Sequence, residues 1–244
     1  MNKIICGLLG VLVIIGFGSC MTHIVRGEGN KTTVTPAVGS FNSIEVTVPL
    51  KAIITVQPGA VPSIKLDGYE NIIKHIKTNA ENNTLTLSAD LETSWTLYEH
   101  DGTVATIIVP SLSALSLTGA ADADIHGSFS EQLFKMDISG SGDVTIDSMS
   151  VGNFSTRISG AGNLMINGGN TQRASYQVSG AAKIKAFGLQ TAESSIEISG
   201  AAKAEVTAGQ KLDTHISGAG RIWYKGHPAI TQDVSGAGSI KDAN

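Results

Sequence analysis

Four aspartates near the middle of the chain are the strongest candidates for acid–base chemistry. Asp122 and Asp143 come at the same point of successive repeats, and Asp137 and Asp147 lie close by. Polysaccharide lyases built on β-helices use acidic clusters with calcium and a base, but they place them in clefts formed by long loops. The short repeats leave no room for such loops, and aspartate favours turns because its side chain bonds to the local backbone. We therefore predict solvated turn residues, with a β-helical carbohydrate-active enzyme as the alternative.

Two other patterns could be mistaken for catalytic or cofactor sites. Gly160-Ala161-Gly162 and its sibling motifs resemble phosphate loops, yet such a loop needs a helix after it, and here strands follow. The histidines have no ligand-like spacing, and none pairs convincingly with a serine. These are His23, His75, His100, His126, His215 and His227. The sequence therefore predicts no catalytic residue, no metal site and no cofactor, and hence no enzyme.

One position of the repeat changes from acidic to basic along the chain. The residues there are Asp122, Asp143, Asn163, Lys183, Lys203, Arg221 and Ser239. An inward-facing aliphatic residue follows this position in the later repeats, so alternation places the series on the outside. We predict that Lys183, Lys203 and Arg221 form a stripe for an anionic partner, such as an acidic glycan or another envelope protein. The alternative is a solvated face, because exposed charge rows cost little.

Aromatic residues mark two further segments. Trp95 and Tyr98 lie in a segment, 92–101, that interrupts the strand pattern. Flat aromatic rings with polar tips can stack on a sugar or bind a partner. The alternative is that these rings cover the N-terminal end of the core, because the exposed ends of a solenoid need capping. We predict the same capping role for Trp223 and Tyr224 at the other end.

The N-terminus has the layout of a lipoprotein signal. A basic start containing Lys3 precedes an apolar run over 4–17, and Gly18-Ser19-Cys20 follows. This order is typical of a secretory signal, and the run is shorter than the ~20 residues of a membrane-spanning helix. We predict a signal peptide over 1–19, acylation of Cys20, and a flexible tether over 20–40 that links the lipid to the fold.

Composition excludes one class of partner and favours β structure. The formal net charge is −4, which removal of Lys3 would change to −5, whereas nucleic-acid-binding domains usually have a basic excess. Only two cysteines are present, and both lie in or beside the signal, so no disulfide stabilises the predicted mature chain. Aromatic residues make up 5% of the chain, which also has 28 glycines, a balance typical of a β architecture.

A repeat of about 20 residues is the dominant feature of the sequence. Its motif is an aliphatic residue, Ser or Thr, Gly and two small residues, with first glycines at 119, 140, 160, 180, 200, 218 and 236. Apolar and polar residues alternate around each motif, as expected for half-buried strands. One unit could bury Phe154, Ile158, Leu164 and Ile166 for roughly 6–12 kcal/mol, whereas ordering ~20 residues costs about 20–40 kcal/mol. The units must therefore stack.

Stacking predicts an all-β fold, a right-handed parallel β-helix with coils of 18–21 residues. One β-helix domain is expected over 41–244, with a less regular N-terminal part and one short helix over 71–77. Two inward ladders and one outward serine ladder follow from the register. The ladders are Ile138, Ile158, Val178, Ile198, Ile216 and Val234; Val144, Leu164, Ile184, Ala204, Ile222 and Ile240; and Ser139, Ser159, Ser179, Ser199, Ser217 and Ser235.

Several segments together resemble a known family. They are Phe41-Asn42-Ser43-Ile44-Glu45-Val46, Gly68-Tyr69-Glu70-Asn71-Ile72-Ile73, the Ser-Gly-Ala-Gly turns, and the segments 221–228 and 234–240. The chain over about 41–240 is similar to the head GIN domain family, described as auto-transporter adhesins of the Gram-negative envelope. The resemblance implies a β-helical fold and an adhesion-type role. We therefore expect a non-enzymatic outer-membrane lipoprotein, on the periplasmic side or the cell surface, with a structural envelope scaffold as a further alternative.

Overall fold

The chain folds as a β-solenoid in a computed structural model that describes residues 23–90, 95–97 and 102–244. The N-terminal elements are β1 (His23–Val25), β2 (Lys31–Val34), β3 (Ser43–Val46), β4 (Lys51–Val56), β5 (Ser63–Tyr69), α1 (Glu70–Ile73), β6 (Ile76–Glu81), β7 (Thr84–Ala89), β8 (Trp95–Leu97) and β9 (Val104–Val109). The coils follow as β10 (Ala114–Gly119), β11 (Asp122–Gly140), β12 (Asp143–Gly160), β13 (Asn163–Ile166), β14 (Gly169–Gly180), β15 (Lys183–Ala186), β16 (Leu189–Gly200), β17 (Lys203–Thr207), β18 (Lys211–Gly218), β19 (Arg221–Lys225), β20 (Ala229–Gly236) and β21 (Ser239–Asp242).

Parallel pairing in the predicted register builds the coils. One stack runs from β10 through β11, β12, β14, β16 and β18 to β20, and a second runs from β11 and β12 through β13, β15, β17 and β19 to β21. Ile158 pairs with Ile138 on one side and with Val178 on the other, so equivalent residues of successive repeats lie side by side. The predicted parallel solenoid is confirmed.

Both predicted inward ladders form the core. Members from Ile138 to Ile216 are at most 3% exposed, and those from Val144 to Ile222 are at most 1% exposed. Val234, in the last coil, is 40% exposed. The serine ladder faces outward as predicted. Within the core, Phe134 stacks on Phe154, and Phe154 meets Tyr176 edge to face, each pair with ring centroids 5.8 Å apart. These aromatic contacts join three coils.

The N-terminal part extends both stacks and then changes strand direction. β3 pairs in parallel with β10 and β7, and β4 pairs in parallel with β11 and β9. Beyond them, β5 is antiparallel to β9, β6 to β7, and β2 to β5. Residues before 117 still alternate between buried and exposed, although the repeat motif is absent there.

Two local predictions need correction. The helix spans Glu70–Ile73 rather than 71–77, because the backbone from Ile76 onward pairs with β7 and can no longer coil. In addition, β1 and β2 lie within the segment predicted as a tether. The chain from Lys31 to Val34 pairs with Leu66 to Tyr69, so this part of 20–40 belongs to the sheet.

The predicted signal peptide and Cys20 lie outside the described residues. In the part of the chain that is described, no helix is long and apolar enough to cross a membrane.

Candidate functional site

The three basic residues singled out in the sequence lie next to one another on adjacent coils. Lys183 begins β15, Lys203 begins β17 and Arg221 begins β19, and pairing places Lys183 beside Lys203 and Lys203 beside Arg221. Each is exposed, while the residue that follows it points into the core. Neighbouring parallel strands are ~4.8 Å apart. We call this row of Lys183, Lys203 and Arg221 the basic stripe.

The cations of the basic stripe lack an acidic partner among the described residues, unlike several other cations of the protein. Lys51 is 2.6 Å from Asp124, and the hydrogen bond to this carboxylate raises the pKa of Lys51. Arg173 likewise contacts Glu193 at 3.2 Å. Between described residues, no ion pair or side-chain hydrogen bond engages any member of the basic stripe. Its positive charge is therefore available to a partner.

A second outward row runs beside the basic stripe, two residues further along each strand. It reads Thr145, Met165, Lys185, Glu205, Trp223 and Lys241 from coil to coil. Lys185 and Lys241 are exposed and add positive charge, whereas Glu205 is half-buried and removes some. Met165 is 40% exposed and lines a shallow depression of about 240 Å³ with Lys183 and Lys185. The face is therefore basic overall, with apolar contact points.

The acidic end of the same series bonds from one coil to the next. The backbone N–H of Asp143 donates to Asp122 Oδ1 at 2.8 Å, and Asn163 Nδ2 donates to Asp143 Oδ1 at 2.6 Å. These two carboxylates thus join successive coils, whereas the sequence predicted bonds to the local backbone of a turn.

The other two aspartates are engaged separately. Asp137 lies 3.7 Å from Arg157, and Asp147 lies 3.0 Å from His126. Across the described residues, no three His, Cys, Asp or Glu side chains are close enough to hold a metal ion. The four aspartates are thus divided between different contacts that join neighbouring coils.

The aromatic residues singled out in the sequence lie in different environments. The backbone of Trp95 pairs with His23 in the short β1–β8 sheet, and Tyr98 lies outside the described residues, so the binding role of this segment stays a prediction. Tyr224 packs against the core, with β21 paired beyond it. The capping role predicted for Trp223 is wrong: its neighbour Ile222 points inward, so Trp223 faces outward in the row beside the basic stripe. Alternation along β19 could have shown this.

A family model covers most of the chain. The model for the "putative auto-transporter adhesin, head GIN domain" matches residues 40–228, which is well over half of the 244 residues. The chain belongs to the head GIN domain family. The family resemblance read from the sequence is thereby confirmed. A comparison with curated proteins finds no significant match.

Solved structures share the fold of this head GIN domain protein along nearly its whole length. A "putative adhesin" from Bacteroides fragilis has a TM-score of 0.82 and 25% identity, over 89% of this chain and 99% of that one. A "putative lipid binding protein" from Parabacteroides distasonis has a TM-score of 0.71 and 23% identity, over 91% and 100%. A "putative adhesin" from Parabacteroides merdae has a TM-score of 0.70 and 19% identity, over 91% and 100%.

Proposed function

We propose that this head GIN domain protein is a non-enzymatic binding module of the cell envelope, anchored by a lipid on Cys20, that holds acidic glycans on its basic stripe. The observation that carries the proposal is the register of Lys183, Lys203 and Arg221 on three successive coils, without acidic partners among the described residues. Adhesin-type relatives support binding rather than catalysis.

The geometry suits a chain-like polyanion better than a single small ion. Three cations at a spacing of ~4.8 Å form a straight row along the solenoid, so a polymer with regularly spaced acidic groups can meet all three. Each exposed ion pair contributes only about 0.2–1 kcal/mol, so one stripe binds weakly. Many copies anchored on one membrane would bind the same glycan with high avidity, because linked sites raise the effective concentration. Weak binding at each stripe is therefore compatible with adhesion by many copies.

Salt should govern this interaction. The contacts are exposed, and the Debye length falls from ~30 Å at 0.01 M salt to ~8 Å at 0.15 M. We expect an array of acidic glycans to bind the protein at low salt and less strongly at physiological salt. The triple variant Lys183→Ala, Lys203→Ala, Arg221→Ala should lose this binding.

A matched control separates the basic stripe from net charge. The triple variant Lys135→Ala, Arg157→Ala, Arg173→Ala removes the same charge from the other outward face of the coils and should bind as the wild type does. Equal loss in both triple variants, or no binding at either salt concentration, would contradict the proposal.

Surface display is a separate requirement for adhesion. Protease treatment of intact cells should remove the domain if the lipid anchor holds it on the outer face of the outer membrane. A domain that is cleaved only after the cells are permeabilised would instead place it on the periplasmic side, where binding to host or matrix glycans is impossible.

A further inference from the structure

Trp223 is placed as a contact residue rather than as part of the core. It is partly exposed and lies two residues after Arg221 on β19, so both side chains face outward on the same side of the sheet. The residues on either side of it, Ile222 and Tyr224, contact the core instead. The fold thus covers the indole only in part and leaves the rest at the surface, which makes Trp223 the residue to explain.

The immediate surroundings of the indole are charged with both signs. Glu205 precedes Trp223 in its row and Lys241 follows it, while Arg221 lies beside it and Lys203 lies diagonally across. Cation–π contacts within the described residues use other rings, with Lys31 over Tyr69 at 5.2 Å and Lys225 over Phe187 at 4.8 Å. Between described residues, no cation–π contact therefore covers the exposed part of the Trp223 indole.

An aromatic ring beside both a cation and a carboxylate suits some anionic ligands better than others. A site for a bare polyanion needs cations only, and a carboxylate such as Glu205 at its centre would weaken it. An acidic sugar has three different surfaces: an apolar C–H face, hydroxyl donors, and a carboxylate. Trp223 offers an apolar plane, Glu205 accepts hydrogen bonds from hydroxyls, and Arg221 donates two parallel hydrogen bonds to a carboxylate.

We propose that Trp223, Arg221 and Glu205 form a subsite for a single uronic-acid residue, a pyranose carrying a carboxylate. The sugar stacks on the indole, its carboxylate accepts from the Arg221 guanidinium, and its hydroxyls donate to Glu205. The polymer then continues along the basic stripe, where Lys203 and Lys183 contact the carboxylates of the next residues. This inference rests on the proposed function and specifies its ligand class and its anchoring residue.

The chain offers a direct optical test, because it has two tryptophans, Trp95 and Trp223. In a Trp95→Phe background all tryptophan emission comes from Trp223. Titration with tetragalacturonate at low salt should shift or quench this emission to saturation, with a midpoint equal to the Kd from calorimetry. Because this variant leaves Trp223 in place, the result does not depend on how a change at the site affects folding.

Substitution then measures the contribution of the ring. Trp223→Ala should weaken tetragalacturonate binding by roughly tenfold, and Trp223→Phe should restore part of it. Polyphosphate, which has charge but no sugar ring, should bind equally well to the wild type and to Trp223→Ala. A thermal melt of each variant provides the folding control.

The outcomes separate the two proposals. If tetragalacturonate binds, depends on the basic stripe and leaves Trp223 emission unchanged, the subsite is refuted and the proposed function stands. Equal dependence of polyphosphate binding on Trp223 would also refute the assignment to a sugar. If neither tetragalacturonate nor any other acidic glycan binds at low salt, both proposals are refuted.

Discussion

Gly180 gives the sharpest test of how the coils are stacked. Its backbone has φ of +142°, and a Cβ built on it would lie 2.1 Å from the carbonyl oxygen of Gly160 in the preceding coil. Gly119 occupies the same motif in the first repeat, with φ of +84°, but a Cβ there would meet nothing within 4 Å. The same substitution at both positions therefore separates backbone strain from crowding between coils.

The expected magnitudes follow from those two terms. Alanine in a backbone conformation that favours glycine costs about 1–3 kcal/mol, which applies to both variants. Overpacking against a neighbour that cannot move costs about 1–3 kcal/mol more, and it applies only to Gly180→Ala. The blocking atom is backbone, and Gly160 is itself confined, because a Cβ on it would lie 2.2 Å from the Gly140 oxygen. We therefore expect a loss of about 2–6 kcal/mol for Gly180→Ala.

Calorimetry and urea unfolding measure the difference. At about 2–4 °C per kcal/mol for a chain of this size, Gly180→Ala should lower Tm by roughly 4–24 °C, and Gly119→Ala by clearly less. Gly39→Ala serves as the control, because Gly39 has neither a positive φ nor a neighbour within 4 Å of an added Cβ. Equal midpoints for Gly180→Ala and Gly119→Ala would refute close stacking at the glycine column.

Three further predictions concern the core, pH and the anchor. Thr156→Val should raise Tm by about 2–4 °C, because the buried Thr156 hydroxyl has no hydrogen-bond partner within the described residues and a buried unpaired hydroxyl costs about 1 kcal/mol; an unchanged or lower Tm would contradict this. Hydrogen bonds from Lys65 and Thr33 lower the pKa of Asp67 below its usual 3.8. The Asp67 carboxylate therefore stabilises the fold above pH 3.8, and this stabilisation is lost as the pH falls through the lowered pKa. Thr33→Val should raise the Asp67 pKa measured by NMR titration, and an unchanged pKa would contradict the assignment. Cys20→Ala should abolish incorporation of radiolabelled palmitate, and equal labelling would refute acylation at this residue.

The sequence predicted the coils well because the repeat fixes the register. With motifs 20 residues apart, Ile158 can pair only with Ile138 and Val178, and alternation then decides which residues point inward. The position of the basic stripe followed from the same reasoning. The capping assignment of Trp223 departed from that reasoning, since it used the residue type rather than its place in the alternation.

The N-terminal part was harder to predict because alternation does not reveal a strand's partner. Ile64 and Leu66 alternate with polar residues as expected in a strand, but nothing in their pattern shows that β5 runs antiparallel to β9. The helix end was missed because Ile76 fits both a helical face and a strand. Only its pairing with Ala89 in the folded chain decides between them.

The two ends of the outward series show how a solenoid separates structural positions from binding positions. Every coil contributes one residue to the series at the same backbone site, so its members differ only in what their side chains can reach. A short carboxylate such as that of Asp143 reaches the next coil and accepts from Asn163, and this contact joins two turns. A long ammonium such as that of Lys183 extends past the backbone, where it contributes little to stacking and keeps its charge exposed. The change from acid to base along the series is therefore also a change from coil-joining residues to residues that can bind a partner, which is why the function is proposed for the basic end.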